Sequence, residues 1–134
     1  MTTLRQVLQE RAGHRCEYCK VHAAIQRATF HLDHVRPSSR SGGDDPDNRA
    51  FACPTCNLSK SDRVALSDPE TGELVPLFNP RQDRWSDHFR FEGYVVVRLT
   101  PTGRALVAAF DLNSTQYIFI RSIEAGAGLF PPEG

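Results

Sequence analysis

The sequence lacks any long apolar run. No stretch approaches the roughly 18 consecutive apolar residues that a membrane-spanning helix needs, which predicts a protein without a membrane partner. The first residues, Met1 to Gln6, also lack the apolar core of a secretion signal, so the sequence predicts a cytoplasmic location. That compartment is reducing, and cysteines there favour metal or redox chemistry over disulfide bonds.

The chain also lacks net charge, because its 16 basic and 16 acidic side chains balance. Most of the affinity of a protein for nucleic acid comes from neutralising phosphates, so any basic binding surface in this chain must be local. Residues 1–63 carry a slight excess of Lys and Arg, and residues 64–134 carry a slight excess of Asp and Glu. The length of 134 residues suits one domain, or one small domain with an extension.

The cysteines form two Cys-x-x-Cys pairs: Cys16 with Cys19, and Cys53 with Cys56. Each pair presents two thiolates from one turn, and two pairs complete a tetrahedral Zn²⁺ site. A site with four cysteine ligands has no open position, so this zinc would be structural. Two disulfide bonds would need an oxidising compartment, and a thioredoxin-like redox pair would explain only one of the two motifs. His14 and His22 flank the first pair and are interpreted as surface residues.

The segment between the two cysteine pairs must leave the metal and return to it. The sequence predicts a strand over residues 28–33, a long loop over 37–48 and a return strand over 49–52. A helix follows from Pro54 to about Arg63, because proline suits the first helical position. These elements form a two-stranded hairpin and a helix, which the zinc would hold together.

The whole chain is predicted to have an α+β fold in three parts. A zinc-bound domain covers residues 1–66, a Pro-containing linker covers 67–80, and a small α+β extension covers 81–134. The extension has a hairpin and one or two helices, and the apolar run 117–120 is compatible with either a helix or a strand. Its aromatic residues are expected in a core rather than on a base-stacking surface.

Several polar residues around the cysteine pairs carry metal and acid–base chemistry. Asp33 offers a carboxylate and Asn57 an amide oxygen, and both are hard ligands that suit Mg²⁺ or Mn²⁺. His34 follows Asp33 and has the side chain that most often serves as a general base near neutral pH. Lys60 lies three residues after Asn57 on the same helix face, so we expect it to meet a phosphate near the metal.

Residues 16 to about 63 resemble the HNH endonuclease family. The Asp-His pair, the Pro and Gly-Gly loop, the Asn before the second cysteine pair and the Cys-Asn…Lys ending match the family in order. The resemblance implies a ββα-metal finger in which His34 activates a water and Asp33 and Asn57 hold one divalent ion. It also implies that Asn48 tethers the loop and orients His34. The third signature position of the family is often His, and here it is Asn57.

The resemblance further implies the cofactors and the partner. These are a structural Zn²⁺, a catalytic Mg²⁺ or Mn²⁺, and DNA as the substrate. Basic side chains of this region are expected to contact the nucleic acid: Arg36, Arg40, Arg49, Lys60 and Arg63. The sequence does not indicate an oligomeric state.

The sequence therefore predicts a metal-dependent endonuclease that hydrolyses DNA phosphodiester bonds. One alternative is a zinc-finger module that binds nucleic acid without cutting it. Another is an adaptor domain whose finger holds a protein partner. The presence of Asp33, His34, Asn48 and Asn57 together argues against both alternatives.

Overall fold

The computed structural model describes residues 1–26 and 28–133, and it contains helices and short antiparallel strand pairs. The predicted α+β class is confirmed. In the described part of the chain, no helix has both the length and the apolar character needed to cross a membrane. The helices and strands are α1 (Leu4–Arg11), β1 (His31–His34), β2 (Arg49–Ala52), α2 (Pro54–Lys60), β3 (Ala65–Ser67), β4 (Leu74–Pro76), α3 (Trp85–His88), β5 (Phe89–Glu92), β6 (Val95–Arg98), α4 (Pro101–Phe110) and α5 (Thr115–Gly126).

Strands β1 and β2 form the antiparallel hairpin that carries the predicted catalytic residues. Asp33 pairs with Ala50 and His34 pairs with Arg49. Strand β1 begins three residues later than the sequence suggests. Helix α2 ends at Lys60, before the predicted end, because Ser61 adopts a backbone φ of 52° that stops the helix.

The loop between β1 and β2 depends on a glycine for its close packing. A Cβ atom on Gly42 would lie 1.6 Å from the carbonyl oxygen of Arg36, so no larger residue fits without moving the backbone. The amide of Gly42 donates to the carbonyl of Pro37 at 2.9 Å. This contact folds the loop back toward the end of β1, where His34 lies.

Helix α1 supports the hairpin from the side of β2. A capping box begins the helix, in which Thr3 and Gln6 each bond to the backbone of the other. At the other end, the Arg11 guanidinium donates to the carbonyl oxygens of Pro46 at 2.9 Å and Arg49 at 2.7 Å. The end of the loop is therefore attached to α1 as well as to β2.

Residues 67–80, the predicted Pro-containing linker, contain ordered structure. Strands β3 and β4 pair across this segment, and Leu77 and Phe78 are buried in the core. Asp68 accepts two hydrogen bonds from the Arg104 guanidinium, at 2.7 and 3.0 Å, which tie the segment to α4. Burial of apolar side chains outweighs the local preference of proline and glycine for irregular structure.

The extension packs on the hairpin region through one continuous core. The run 117–120, which the sequence leaves open between helix and strand, lies in α5. Of the aromatic residues of the extension, Phe89 and Phe110 are buried, while Tyr94 is 37% exposed. The shared core joins residues from both ends of the chain: Tyr18, Phe30, Phe51, Phe78, Phe89, Leu106, Phe110 and Tyr117.

Candidate active site and metal centre

Four buried cysteine side chains meet at one point: Cys16, Cys19, Cys53 and Cys56. Their sulfur atoms all lie within 4.8 Å of one another, and the Sγ atoms of Cys19 and Cys53 are 3.7 Å apart. In a tetrahedral zinc site, Zn–S bonds of about 2.3 Å place neighbouring sulfur atoms about 3.8 Å apart. The cluster is therefore compatible with one zinc ion.

Two tight turns direct the thiols toward the common point. In the first turn, the amide of Lys20 donates to the carbonyl of Cys16 at 2.9 Å, and Lys20 takes a φ of 68°. In the second turn, Cys53 is the N-cap of α2, and its sulfur accepts from the amide of Cys56 at 3.4 Å. Pro54 occupies the first turn of this helix, where no amide hydrogen is needed.

A residue of the extension completes the surroundings of the cysteine cluster. The hydroxyl of Tyr117, on α5, lies 3.4 Å from the sulfur of Cys56, and both groups are buried. A hydroxyl in this position donates to a thiolate and stabilises its charge. Sequence reasoning missed this role, because the two residues are 61 positions apart and no motif surrounds Tyr117.

The carboxylate of Asp33 is buried, and its two oxygen atoms differ. The Oδ2 atom accepts a hydrogen bond from the Tyr18 hydroxyl at 3.1 Å and lies 3.3 Å from the ammonium of Lys60. Among the described residues, none donates a hydrogen bond to Oδ1. Burial raises the pKa of Asp33, and the nearby Lys60 ammonium opposes that rise. Oδ1 therefore remains available to a cation.

Lys60 lies inside the protein rather than on the predicted phosphate-binding surface. Its side chain is 0% exposed, and its ammonium donates to the carbonyl oxygen of His34 at 2.8 Å. The last turn of α2 packs against β1, so the Lys60 side chain in this turn contacts Asp33 instead of solvent. Lys60 holds the carboxylate of Asp33 and the backbone of His34 in place.

His34 is held by an acidic partner that sequence reasoning missed. Its Nε2 atom is 2.8 Å from Oδ1 of Asp44, and the same oxygen lies 3.5 Å from the guanidinium of Arg49. The hydrogen bond with His34 lowers the pKa of Asp44, so this carboxylate is ionised and accepts. With this carboxylate as the acceptor, Nε2 carries the hydrogen of the bond, and none of the described residues forms a hydrogen bond with Nδ1. Nothing in the sequence separates Asp44 from the acidic residues next to it.

Asn48 ties the two ends of the loop together. Its amide donates to the carbonyls of Arg36 at 2.9 Å and Gly43 at 2.7 Å, and its Oδ1 accepts from the amide of Arg36 at 2.9 Å. Because Gly43 precedes Asp44, these bonds fix the residue that holds His34. The side chain of Asn48 thus acts on His34 indirectly, by holding the backbone next to Asp44, which bonds to the imidazole.

Asn57 lies half-buried at the middle of α2, directly after the last cysteine of the cluster. Within the described residues, its side-chain amide forms no hydrogen bond, so its oxygen is available to an ion. The Asp33 oxygen described above and this amide oxygen are the donors that suit a hard divalent cation. Each of the two oxygen atoms is therefore of a type that such an ion accepts as a ligand.

The four predicted arginine contacts fall into two groups. Arg36 and Arg40 are exposed, although each spends one guanidinium hydrogen on a backbone carbonyl. Arg49 donates to the carbonyl of Leu32 at 3.0 Å, and Arg63 donates to the carbonyl of Ser59. The first pair is exposed to solvent, and the second pair is only partly exposed and bonds within the protein.

One comparison with known proteins identifies a family for part of the chain. The family model described as HNH endonuclease matches residues 16–63, which is slightly more than a third of the chain. The match covers both cysteine pairs, the hairpin and α2, and it confirms the resemblance seen in the sequence. No curated protein and no solved structure matches the chain.

The contact between Tyr117 and Cys56 leads to a prediction about metal affinity. Tyr117→Phe removes the hydroxyl and keeps the ring, so the chain should fold and bind one zinc ion. Its zinc affinity should fall by about tenfold or more, the usual effect of losing an outer-shell partner. Chelator competition with a coloured zinc indicator measures the difference. Tyr94→Phe, an exposed tyrosine, is the control, and equal affinities in all three proteins would contradict the role of Tyr117.

Proposed function

We propose that the protein is a metal-dependent endonuclease that hydrolyses phosphodiester bonds in DNA. Residues 16–63 would form its ββα-metal finger, with zinc at the four cysteines as a structural ion. The observation that carries the proposal is the arrangement around His34. His34, whose Nε2 is bonded to Asp44, follows Asp33, and in the described part of the chain nothing bonds to Nδ1 of the histidine or to Oδ1 of the carboxylate. Both residues lie inside the segment that matches the HNH family.

His34 would act as the general base. Its Nδ1 takes a proton from a water molecule, and the oxygen of that water attacks the phosphorus atom in line with the leaving oxygen. The phosphorus–oxygen bond to the leaving group breaks, and the leaving oxygen takes a proton from solvent water. The resemblance implies that the products carry 5′-phosphate and 3′-hydroxyl ends. Asp44 accepts the hydrogen on Nε2 throughout and stabilises the imidazolium that forms.

Asp33 and Asn57 would hold the catalytic ion, of the Mg²⁺ or Mn²⁺ class. When bound, such an ion stabilises the negative charge that develops on the phosphate and on the leaving oxygen. Tyr18 and Lys60 keep the Asp33 carboxylate in one orientation by binding its Oδ2 atom. The Oδ1 atom would thereby be available to the ion without a rearrangement of the side chain.

Two exposed arginines in the loop support DNA as the partner. Arg36 and Arg40 lie on the segment that Asn48 holds beside His34, and each retains guanidinium hydrogens for a phosphate. Lys60, Arg49 and Arg63 would instead act indirectly, by supporting the residues that contact the substrate. Because the chain has no net charge, this local surface must supply the phosphate contacts.

A first prediction from the proposed mechanism concerns the general base. His34→Ala should reduce nicking of supercoiled plasmid in Mg²⁺ or Mn²⁺ by at least about 100-fold, the lower range for loss of a general base. The exposed His31, on the same strand, gives a matched variant that should nick at the wild-type rate. Circular dichroism and zinc content should be unchanged in both variants.

Three outcomes of that experiment count against the proposal. Nicking by His34→Ala within a few-fold of the wild type removes His34 from the mechanism. An equal loss in His31→Ala shows that the strand, and not the base, is required. If wild-type protein with full zinc binds DNA but never nicks it, the chain is a binding module.

A second prediction concerns Asp44 as a positioning residue. Asp44→Asn should lower kcat by about two- to tenfold at unchanged KM, because an exposed partner contributes modestly and does not touch the substrate. Asp44→Glu should recover part of the rate, since it restores a carboxylate near Nε2. Asp45→Asn is the neighbouring control. A change in KM alone, or no recovery with Glu, would show that Asp44 only shapes the loop.

A third prediction concerns the identity of the catalytic ion. Asn57→Ala should lose at least about tenfold in rate with every ion, because one of two protein ligands is removed. Asn57→His should shift the preference from Mg²⁺ toward Co²⁺ or Ni²⁺, which bind imidazole nitrogen better. Leu58→Ala, on the exposed face of the same helix, is the control. If all four proteins share one ion profile and one rate, Asn57 is not a ligand.

A further inference from the structure

An open cleft of about 890 Å³ lies between the first cysteine turn and the C-terminal segment. The residues Trp85, Phe91 and Pro131 form its apolar wall, and Lys20, Arg84 and Arg90 lie around them. Its volume is in the range of about 300–1,000 Å³ that small-molecule sites occupy. None of the proposed catalytic residues lines this cleft.

The cleft is basic in a protein whose net charge is zero. Four of its lining residues are Lys or Arg, and one, Glu133, is acidic. Arg15 is neutralised by Glu124 at 3.3 Å, and Arg90 has only a distant partner, Glu92, at 3.9 Å. In the part of the chain that the structure describes, Lys20 and Arg84 form no ion pair. The cleft therefore holds more positive charge than its own carboxylate neutralises.

Trp85 provides a rigid aromatic surface next to these cations. Its indole nitrogen donates to the carbonyl of Tyr18 at 3.0 Å, and its ring centre is 5.1 Å from that of Phe91. The ammonium of Lys20 lies 5.6 Å from the centre of the same ring. Aromatic surfaces flanked by basic side chains bind ligands that combine a planar ring with negative charge.

We propose that this cleft binds a nucleotide, with the base against Trp85 and Phe91 and the phosphate at Arg84 and Arg90. The nucleotide is either a free nucleoside monophosphate or one unit of a single strand, because bases inside a duplex are not open to a side wall of this kind. Binding here goes beyond the proposed hydrolysis, since no step of that mechanism uses the cleft. The two sites are therefore separable by experiment.

Trp85 is the only tryptophan of the chain, so its fluorescence reports directly on the cleft. The full-length His34→Ala variant is titrated without divalent ions against AMP, adenosine, inorganic phosphate and a short oligothymidylate. AMP or the oligonucleotide should change the emission in a saturable way. Adenosine and phosphate alone should each bind at least about tenfold more weakly than AMP, because each offers half of the contacts.

Charge variants on the rim complete the test. Arg84→Gln and Arg90→Gln are both exposed positions, and each should weaken nucleotide binding by about fivefold or more. Arg98→Gln, an exposed arginine on the strand paired with β5, lies outside the cleft and should have no effect. Tighter binding of the oligonucleotide than of AMP identifies a strand as the ligand, and the opposite order identifies a free nucleotide.

Two results would overturn the inference. One is the absence of a saturable change in Trp85 emission with both AMP and the oligonucleotide. The other is an equal loss of binding in the Arg84, Arg90 and Arg98 variants, which indicates unspecific attraction of anions. Plasmid nicking by the wild-type chain is measured separately, so failure at the cleft and failure of the proposed nuclease activity give different results.

Discussion

The convergence of four thiols at one point holds the rest of the site in place. The hairpin that carries Asp33 and His34 has only four residues in each strand, and such a hairpin is marginally stable by itself. A structural zinc contributes on the order of 10 kcal/mol in small domains, which is enough to fix the hairpin against α2. The distance between Asp33 and Asn57 along the chain then matters little, because the metal centre joins the elements that carry them.

A second constraint acts inside this frame, at the buried pair of Asp33 and Lys60. A buried carboxylate is costly unless it is paired and hydrogen-bonded. Among the described residues, Lys60 and Tyr18 meet that requirement at Oδ2, and the other oxygen is the one that would bind a cation in the proposed mechanism. Lys60 thereby supports the carboxylate of Asp33 from inside the protein. Its burial follows from the packing of α2 on β1.

The sequence is informative wherever the signal is local. The spacing of the cysteines predicts the metal centre, and Pro54 predicts the start of α2. The sequence does not predict the roles of Tyr117 and Asp44. Tyr117 contacts a cysteine that is 61 positions away, and Asp44 is one of several neighbouring acidic residues that no motif distinguishes. The inward direction of Lys60 depends on how α2 packs on β1. The segment 67–80 has the prolines of a linker, but burial of Phe78 gives it a fixed place.

The hydrogen bond from Tyr117 to Cys56 has a consequence for the order in which the protein is made. A ribosome that has released the first 63 residues has delivered every proposed ligand and the general base. Tyr117 of α5, which covers the last thiol, lies 61 positions after Cys56 and emerges only later. A nascent chain that has not yet received α5 thus carries the proposed catalytic residues around an incompletely covered cysteine cluster, and the surroundings of that cluster are complete only after α5 has been made.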